Sequence, residues 1–332
     1  MKIKIQQPLA YSEIGGKPNQ EDSIFPLLGE ATKETRVFIV CDGMGGHEKG
    51  EVASDCVAKT IGGIMEGKPL CDTAEMKITF QNALKQAYEN LDKLDNSQSQ
   101  RKMGTTLTFM ALCSDGIFVA HIGDSRVYQF RKGEGVVFQT RDHSLVNELI
   151  AAGELSEEDA RTFPQRNVIM RAIQPHQDYP CKATYNIIKD VRKGDVFMLC
   201  CDGVIEQLEN NDLSEILLED CSLDNRLLNL KNECLKRNTR DNNTAYIIEV
   251  EDVEGLEKPS ATVMLDEKET KDEVRTFVVE NQKKNKNLIW IVLSVIVIIV
   301  TFVCIFFLFA PSSDNPVLKE DNTQGTIQHR NK

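Results

Sequence analysis

Between residues 105 and 139 four apolar runs follow one another with gaps too short to hold a helix. This limits the folds open to the chain more than any other feature. The runs 105–112, 117–122, 127–130 and 136–139 are rich in Val, Ile, Phe and Thr. They are separated at Ser114-Asp115-Gly116, at Gly123-Asp124-Ser125 and by residues 131–135. β-Branched and aromatic residues bounded by Gly or Asp read as strands. A parallel crossover needs about a dozen residues or more, so these gaps predict antiparallel hairpins and meanders. Further strands are expected at 37–40, 183–188, 196–201 and 245–250, and helical spacing of apolar residues appears at 51–65, 73–94, 144–152, 212–218 and 223–237. The helices are grouped rather than alternating with strands. That favours an α+β architecture on antiparallel sheets over a doubly wound one.

The globular pattern stops near residue 250. Residues 251–287 are polar, acidic at first and without periodic apolar content, and read as a flexible tether. Residues 288–310 then run without a charge. At ~1.5 Å per residue they would cover about 35 Å, enough to cross a hydrocarbon core as a helix. Trp290 lies near the start and Pro311 ends the stretch. Lys283, Lys284 and Lys286 precede it, whereas residues 312–321 carry Lys319 against Asp314, Glu320 and Asp321. The positive-inside bias puts the part before the span in the cytoplasm and leaves 311–332 as a short tail on the far side. Lys and Arg total 39 against 51 Asp and Glu, a net charge of −12, which argues against a nucleic-acid partner. The ten cysteines show no repeated CxxC, and Cys41, Cys113, Cys200, Cys201 and Cys304 lie in or beside apolar runs. They are expected to be reduced, buried thiols of a cytosolic compartment, with no zinc site.

The chemistry is carried by where the aspartates fall. The apolar run at 37–41 ends in Asp42-Gly43, and the run at 196–201 ends in Asp202-Gly203. Asp241 precedes the run at 245–250, Glu21-Asp22 form an acidic pair, and Asp124 sits at a turn tip. A single Asp-Gly is satisfied by a turn. Several carboxylates on strand rims that converge need compensating charge, and no basic cluster stands near them in sequence. Oxygen ligands suit hard divalent cations, Mg²⁺ or Mn²⁺. Two such ions activating a water would hydrolyse a phosphate ester without a nucleophilic Cys. Gly43-Met44-Gly45-Gly46 lacks the Lys-Ser/Thr of a P-loop, so its glycines are read as backbone permissiveness beside a metal.

These residues resemble the metal-dependent PPM, or type-2C, serine/threonine protein phosphatases. The blocks occur in order: Asn19-Gln20-Glu21-Asp22-Ser23, Val40 to His47, Gly104-Thr105-Thr106, His121 to Arg126, Arg141-Asp142-His143-Ser144, Gln165 to Val168, Cys201-Asp202-Gly203 and Asp241 to Thr244. The resemblance runs from about residue 11 to 250 and is closest in wording to bacterial members. It implies a four-layer α-β-β-α sandwich of two antiparallel sheets flanked by helices. Asp42 would bridge two ions, Asp202 and Asp241 would complete the first site, and the Gly43 carbonyl would serve the second. Glu21 and Asp22 would act mainly through water, and Asp124 with Asp202 matches a third, weaker site. Residues 144–171 correspond to a flap beside the active site. The expected partners are phosphorylated proteins, substrates of a Ser/Thr kinase.

Three departures from the family pattern stand out. Lys17 occupies the position of a phosphate-holding Arg and keeps the charge without the bidentate fork. Met44 stands where some members have a His that protonates the leaving group, and Gln174 where Gly is usual. His47 is read as a packing residue first and a proton donor second, Arg126 as an ion-pair partner, and His143 as a loop-ordering residue. Thr262 and Thr270 in the tether could accept phosphate. The sequence therefore predicts a phosphatase domain at 1–250, a tether at 251–287 and a membrane helix at 288–310. Lys17, Asp42, Asp202 and Asp241 are its catalytic candidates. The alternative is a silent phosphoprotein-binding module.

Overall fold

Strand β4 (Val37–Met44) shows how the layers form in the computed structural model, which describes residues 2–45, 49–95, 103–160, 162–166, 168–255 and 263–264. Phe38 and Val40 join one buried core, whereas Val37, Ile39 and Cys41 join another. Strand side chains point to opposite faces with period two, so a run that is apolar throughout needs cover on both faces. β6 (Leu107–Leu112) and β7 (Ile117–Ile122) divide in the same way. Met110, Leu112, Ile117 and Val119 go to the first core, and Leu107, Phe109, Ala111, Phe118, Ala120 and Ile122 to the second.

These strands belong to a seven-stranded sheet in the order β13-β10-β7-β6-β4-β3, with β5 beside β4. Its other members are β3 (Asp22–Phe25), β5 (Gly104–Thr105), β10 (Thr184–Ile188) and β13 (Val263–Met264). The second sheet has six strands in the order β1-β12-β11-β8-β9, with β2 beside β12. They are β1 (Lys2–Ile5), β2 (Leu9–Glu13), β8 (Arg126–Arg131), β9 (Gly135–Gln139), β11 (Val196–Cys200) and β12 (Asn243–Glu254). Helices α1 (Gly50–Met65) and α2 (Thr73–Leu94) cover the seven-stranded sheet with Val57, Ile61, Phe80, Ala87 and Leu91. α6 (Asn210–Leu217) and α7 (Leu223–Lys236) lie against the six-stranded sheet through Leu213, Leu217 and Leu230. The result is the expected pair of antiparallel sheets flanked by helices. Helix starts follow local capping: the Asp72 carboxylate accepts from the Glu75 N–H at 2.8 Å and opens α2.

Two of the three short gaps close hairpins, β6–β7 and β8–β9. The third does not. Gly123-Asp124-Ser125 carries the chain from β7 in one sheet to β8 in the other. Gly123 makes this step at φ +103°, and a Cβ there would meet Thr106 Cγ2 at 2.6 Å. A three-residue gap excludes a crossover helix but admits a step between layers as readily as a turn. β12 also continues to Glu254, past the expected boundary at 250. The tether contributes Val263–Met264 as an edge strand on β10. All the described cysteines are free thiols. Among the described residues no helix is long and apolar enough to cross a membrane, and 288–310 lies outside them.

Candidate metal centre

The register of β3 and β4 places Asp22 directly opposite Asp42. Oxygens of these two carboxylates and Cys201 Sγ all lie within 4.8 Å of one another. Asp202 follows Cys201 and is the first residue of the short helix α5 (Asp202–Ile205). The two Asp-Gly pairs are therefore not the same device. Asp42-Gly43 stays in a strand, paired with β3 at Asp22 and with β5 at Thr105, whereas Asp202 opens a helical turn after β11 has ended at Cys200. Asp241 stands just before β12, with Lys17 Nζ 2.8 Å from its Oδ1.

Close backbone contact holds these segments together. A Cβ on Gly43 would fall 2.3 Å from Gly50 O and 2.4 Å from Glu21 O. One on Gly203 would fall 1.9 Å from Asn242 O, and one on Gly15, at φ +58°, 2.0 Å from Asp241 O. Only glycine passes at such distances. Asn242 is the tie between loops, and residue typing gave it no role. Its Oδ1 accepts from the Glu21 N–H at 2.8 Å, and its Nδ2 donates to Ile14 O and Asn19 O at 2.8 and 2.9 Å. A buried Asn beside Asp241 was the available signal. On the strand side, Glu21 O accepts from the Gly43 N–H at 3.0 Å and from Ser54 Oγ at 2.6 Å. The Asp42 N–H donates to Thr106 Oγ1 at 3.0 Å.

The electrostatics of this cluster are unfavourable as it stands. Both Asp22 oxygens, one of Asp124 and one of Asp202 are buried without a hydrogen-bond partner. Burial pushes the Asp22 carboxyl up to about 7; the charges of Asp202 and Asp241 add to this, while the Thr244 hydroxyl and Cys201 thiol oppose it. Burial, Asp202 and Asp142 do the same to Asp124, also to about 7. Asp42 is raised well above the carboxylate range by burial and by Asp22, Asp202 and Asp124, and Asp202 is raised by burial and Asp241. Glu21 is raised by burial, although Lys17 pulls it down. Burial pulls Lys17 down, but Asp241, Asp42 and Glu21 outweigh it and the ammonium is held. Arg126 draws Asp124 down but is outweighed, because its guanidinium forks onto Asp142 at 2.6 and 2.7 Å. An unpaired buried carboxylate costs several kcal/mol, so the cluster must take up protons or cations. Cys201 Sγ is engaged by Asn242 O at 3.4 Å and the Thr244 N–H at 3.1 Å, and the remaining donors are oxygens, which suit a hard divalent ion. The residues present therefore fit the ions that the sequence implied.

The neighbouring readings divide. Arg126 is an ion-pair partner. His143 orders a loop: Nδ1 accepts from the Gly123 N–H at 3.1 Å, Nε2 meets Thr184 Oγ1 at 2.8 Å, and the ring stacks on His121 at 4.5 Å. The flap contains α3 (Leu145–Ala151) and α4 (Glu157–Ala160), neither with a buried residue. Gln174 packs where a Cβ on Gly104 would meet its Cγ at 2.9 Å, and His47 lies outside the described residues.

The sequence profile of the protein phosphatase 2C family matches residues 11–231. The chain belongs to the protein phosphatase 2C family. A putative protein phosphatase 2C-type protein of Streptococcus pyogenes is 30% identical over 257 residues, which cover 76% of this chain and 100% of that one. The protein phosphatase PhpP of Streptococcus pneumoniae is 31% identical over 214 residues, 64% of this chain and 84% of that one. Among solved structures, a Streptococcus agalactiae serine/threonine phosphatase superposes with a TM-score of 0.64 at 29% identity, covering 74% of this chain and 99% of that one. The catalytic domain of the phosphatase PstP, solved with two manganese ions, gives 0.59 at 27% identity and covers 75% and 99%. The chain is thus a serine/threonine protein phosphatase of the 2C type, a family that depends on Mn²⁺ or Mg²⁺.

Proposed function

We propose that the chain removes phosphate from phosphoserine and phosphothreonine in proteins at the Asp22–Asp42–Asp202–Asp241 cluster, from a catalytic domain held at the cytoplasmic face of a membrane. The observation that carries the site is the Asp22 carboxylate, buried opposite Asp42 with neither oxygen satisfied. Asp42 would contact both ions. Asp202 and Asp241 would hold the first, the Gly43 carbonyl the second, and Asp124 with Asp202 a third, while Glu21 and Asp22 bound the pocket. Divalent ions so held supply positive charge and lower the pKa of water.

The protein's own groups do the rest. Lys17 sits at the rim, its side chain 39% exposed and paired to Asp241. It offers a point charge to an incoming phosphate, which must compete with that carboxylate. Asn242 and the glycine contacts hold the carboxylates in place before substrate arrives, so little reorganisation is left to the reaction. The acidic flap, with Glu157, Glu158 and Asp159 on α4, faces peptide substrates and favours basic ones. Anchoring is supported by the uncharged stretch 288–310 and the lysines before it.

The chain should turn over a phosphothreonine peptide with Mn²⁺, and EDTA should stop it. Undiminished turnover in excess EDTA would overturn the metal-dependent site. Reporter fusions at each end test the anchor: a C-terminal reporter active in the cytoplasm would reverse the orientation.

A further inference from the structure

Lys17 is already engaged before any phosphate arrives. Its Nζ lies 2.8 Å from Asp241 Oδ1, and the same oxygen accepts from the Asn242 N–H at 2.8 Å. One of these two donors is fixed and the other can move. The backbone beneath Lys17 is held. A Cβ on Gly15 would fall 2.0 Å from Asp241 O, and one on Gly16 would fall 2.8 Å from Arg240 O, so residues 15–16 lie against 240–241 with no room to slide. The Lys17 N–H also donates to Ile14 O at 3.3 Å. What can swing is the side chain, an ammonium on a flexible four-carbon stem. It is 39% exposed and the Asp241 side chain 32%. An ion pair this open to water contributes little, so its partner is readily exchanged for another.

Charge decides which partner the ammonium takes. Asp241 is one of the carboxylates proposed above to hold the first divalent ion, and the inference rests on that reading. Without cations, Lys17 is the counter-charge on this side of the cluster, drawn by Asp241 and also by Asp42 and Glu21. A divalent ion on Asp241 takes over that task and repels the ammonium at the same time. We propose that Lys17 is a counter-ion exchanged between two partners: Asp241 when the first ion site is empty, and the substrate phosphate when it is filled. Capture of the phosphate then waits for the metal. Linkage makes the effect reciprocal, so phosphate that draws Lys17 off Asp241 strengthens ion binding. The departure from Arg at this position fits the exchange. A guanidinium would fork across both oxygens of Asp241 and compete harder with an ion, whereas an ammonium is a point charge that lets go.

The test is the Mn²⁺ affinity of the full chain, read from the paramagnetic resonance signal of free Mn²⁺, with and without inorganic phosphate. A protein-free titration corrects for Mn²⁺ held by phosphate alone. Wild type is compared with Lys17→Met, which removes the charge, and Lys17→Arg, which keeps it. Melting in EDTA shows that each variant is folded. Without phosphate, Lys17→Met should bind Mn²⁺ about tenfold more tightly than wild type, because a competing charge is gone. Lys17→Arg should bind no more tightly than wild type. Phosphate should tighten Mn²⁺ binding by wild type at least about threefold more than binding by Lys17→Met. Equal or weaker binding by Lys17→Met in the absence of phosphate would overturn the proposal, and weaker binding would make Lys17 a fixed support of Asp241. Tighter binding by Lys17→Arg would overturn it as well, as would an equal gain from phosphate in wild type and Lys17→Met. Those outcomes leave the acidic site standing. Wild type that bound no Mn²⁺ would instead remove the site itself, and the exchange with it.

Discussion

Replacing Asp42 by Ala is expected to lower kcat on a phosphothreonine peptide by about 10³-fold or more, and to remove the Mn²⁺-induced rise in melting temperature. In metal-free buffer at neutral pH the same variant should melt no lower than wild type. The two expectations come from one cause. Asp42 lies among Asp22, Asp202 and Asp124, and in the absence of cations burial and these neighbours hold it protonated well above the carboxylate range, which costs free energy at neutral pH. Removing the central carboxyl removes that cost, which offsets the small cavity it leaves. With cations present the balance inverts. The residue that would contact both ions is gone, and a loss of about 4 kcal/mol of transition-state stabilisation corresponds to ~10³ in rate. The pairing of outcomes separates site from scaffold. A variant that lost activity because it unfolded would melt lower in EDTA, which is the opposite of the expectation. Near-wild-type turnover would show that the acidic cluster is not where hydrolysis occurs.

The parts of the fold that could be read from sequence were those where burial leaves few choices. α2 spans Thr73–Leu94 as its spacing indicates, and β7 spans Ile117–Ile122 as its apolar run indicates. β1, β2 and β3 were not visible. Lys2–Ile5 alternates polar and apolar residues over only four positions, and Asp22–Phe25 opens with two polar residues. What makes them strands is pairing with residues more than 200 positions away for β1 and β2, and with β4 for β3. Local propensity cannot report such pairing. The same limit applies at the site. The strand rims pointed to Asp42, but the closeness of Asp22 follows from the β3–β4 register, which is fixed only when both strands exist. That register puts Asp22 against Asp42, a neighbour that the motif alone did not give it. Asp124 was noticed at a turn tip. The step between sheets that aims it inward depends on Gly123 packing on Thr106, a contact across the core.

Asp22→Asn should make the metal-free protein more stable at pH 7.5, by on the order of 2–4 kcal/mol, and millimolar Mn²⁺ should reverse the order of the two proteins. The sign follows from linkage. Burial and the charges of Asp202 and Asp241 hold the folded-state pKa of Asp22 at about 7, against 3.8 for the free side chain. Between those values the folded chain binds a proton that the unfolded chain has released, so stability falls as pH rises. The penalty is absent below about pH 4, grows through pH 4–7 and is complete above about 7. At 1.36 kcal/mol per pKa unit, the full offset is roughly 4 kcal/mol, shared with Asp42 and Asp202, which titrate with it. His121 and His143 work the other way. Burial lowers His121 to about 4 and holds His143 well below the ordinary imidazole range, so their contribution to stability increases with pH up to about 6.5 and masks part of the carboxylate trend in either protein alone. Both histidines are present in wild type and variant, so the difference between two melting series isolates Asp22. That difference should be near zero at pH 4, should rise through pH 6 and should level off above pH 7. The asparagine side chain keeps the shape of the aspartate it replaces and can donate to Asp42, so no packing loss obscures the result. Cations reverse the ranking because they bind the folded wild type and stabilise it by RT ln(1 + [L]/Kd), a gain that shrinks in the variant because a carboxylate bounding the pocket is lost. A difference that did not change with pH would mean that Asp22 is compensated by groups of the protein itself. The unsatisfied oxygens opposite Asp42 would then carry no demand for a metal.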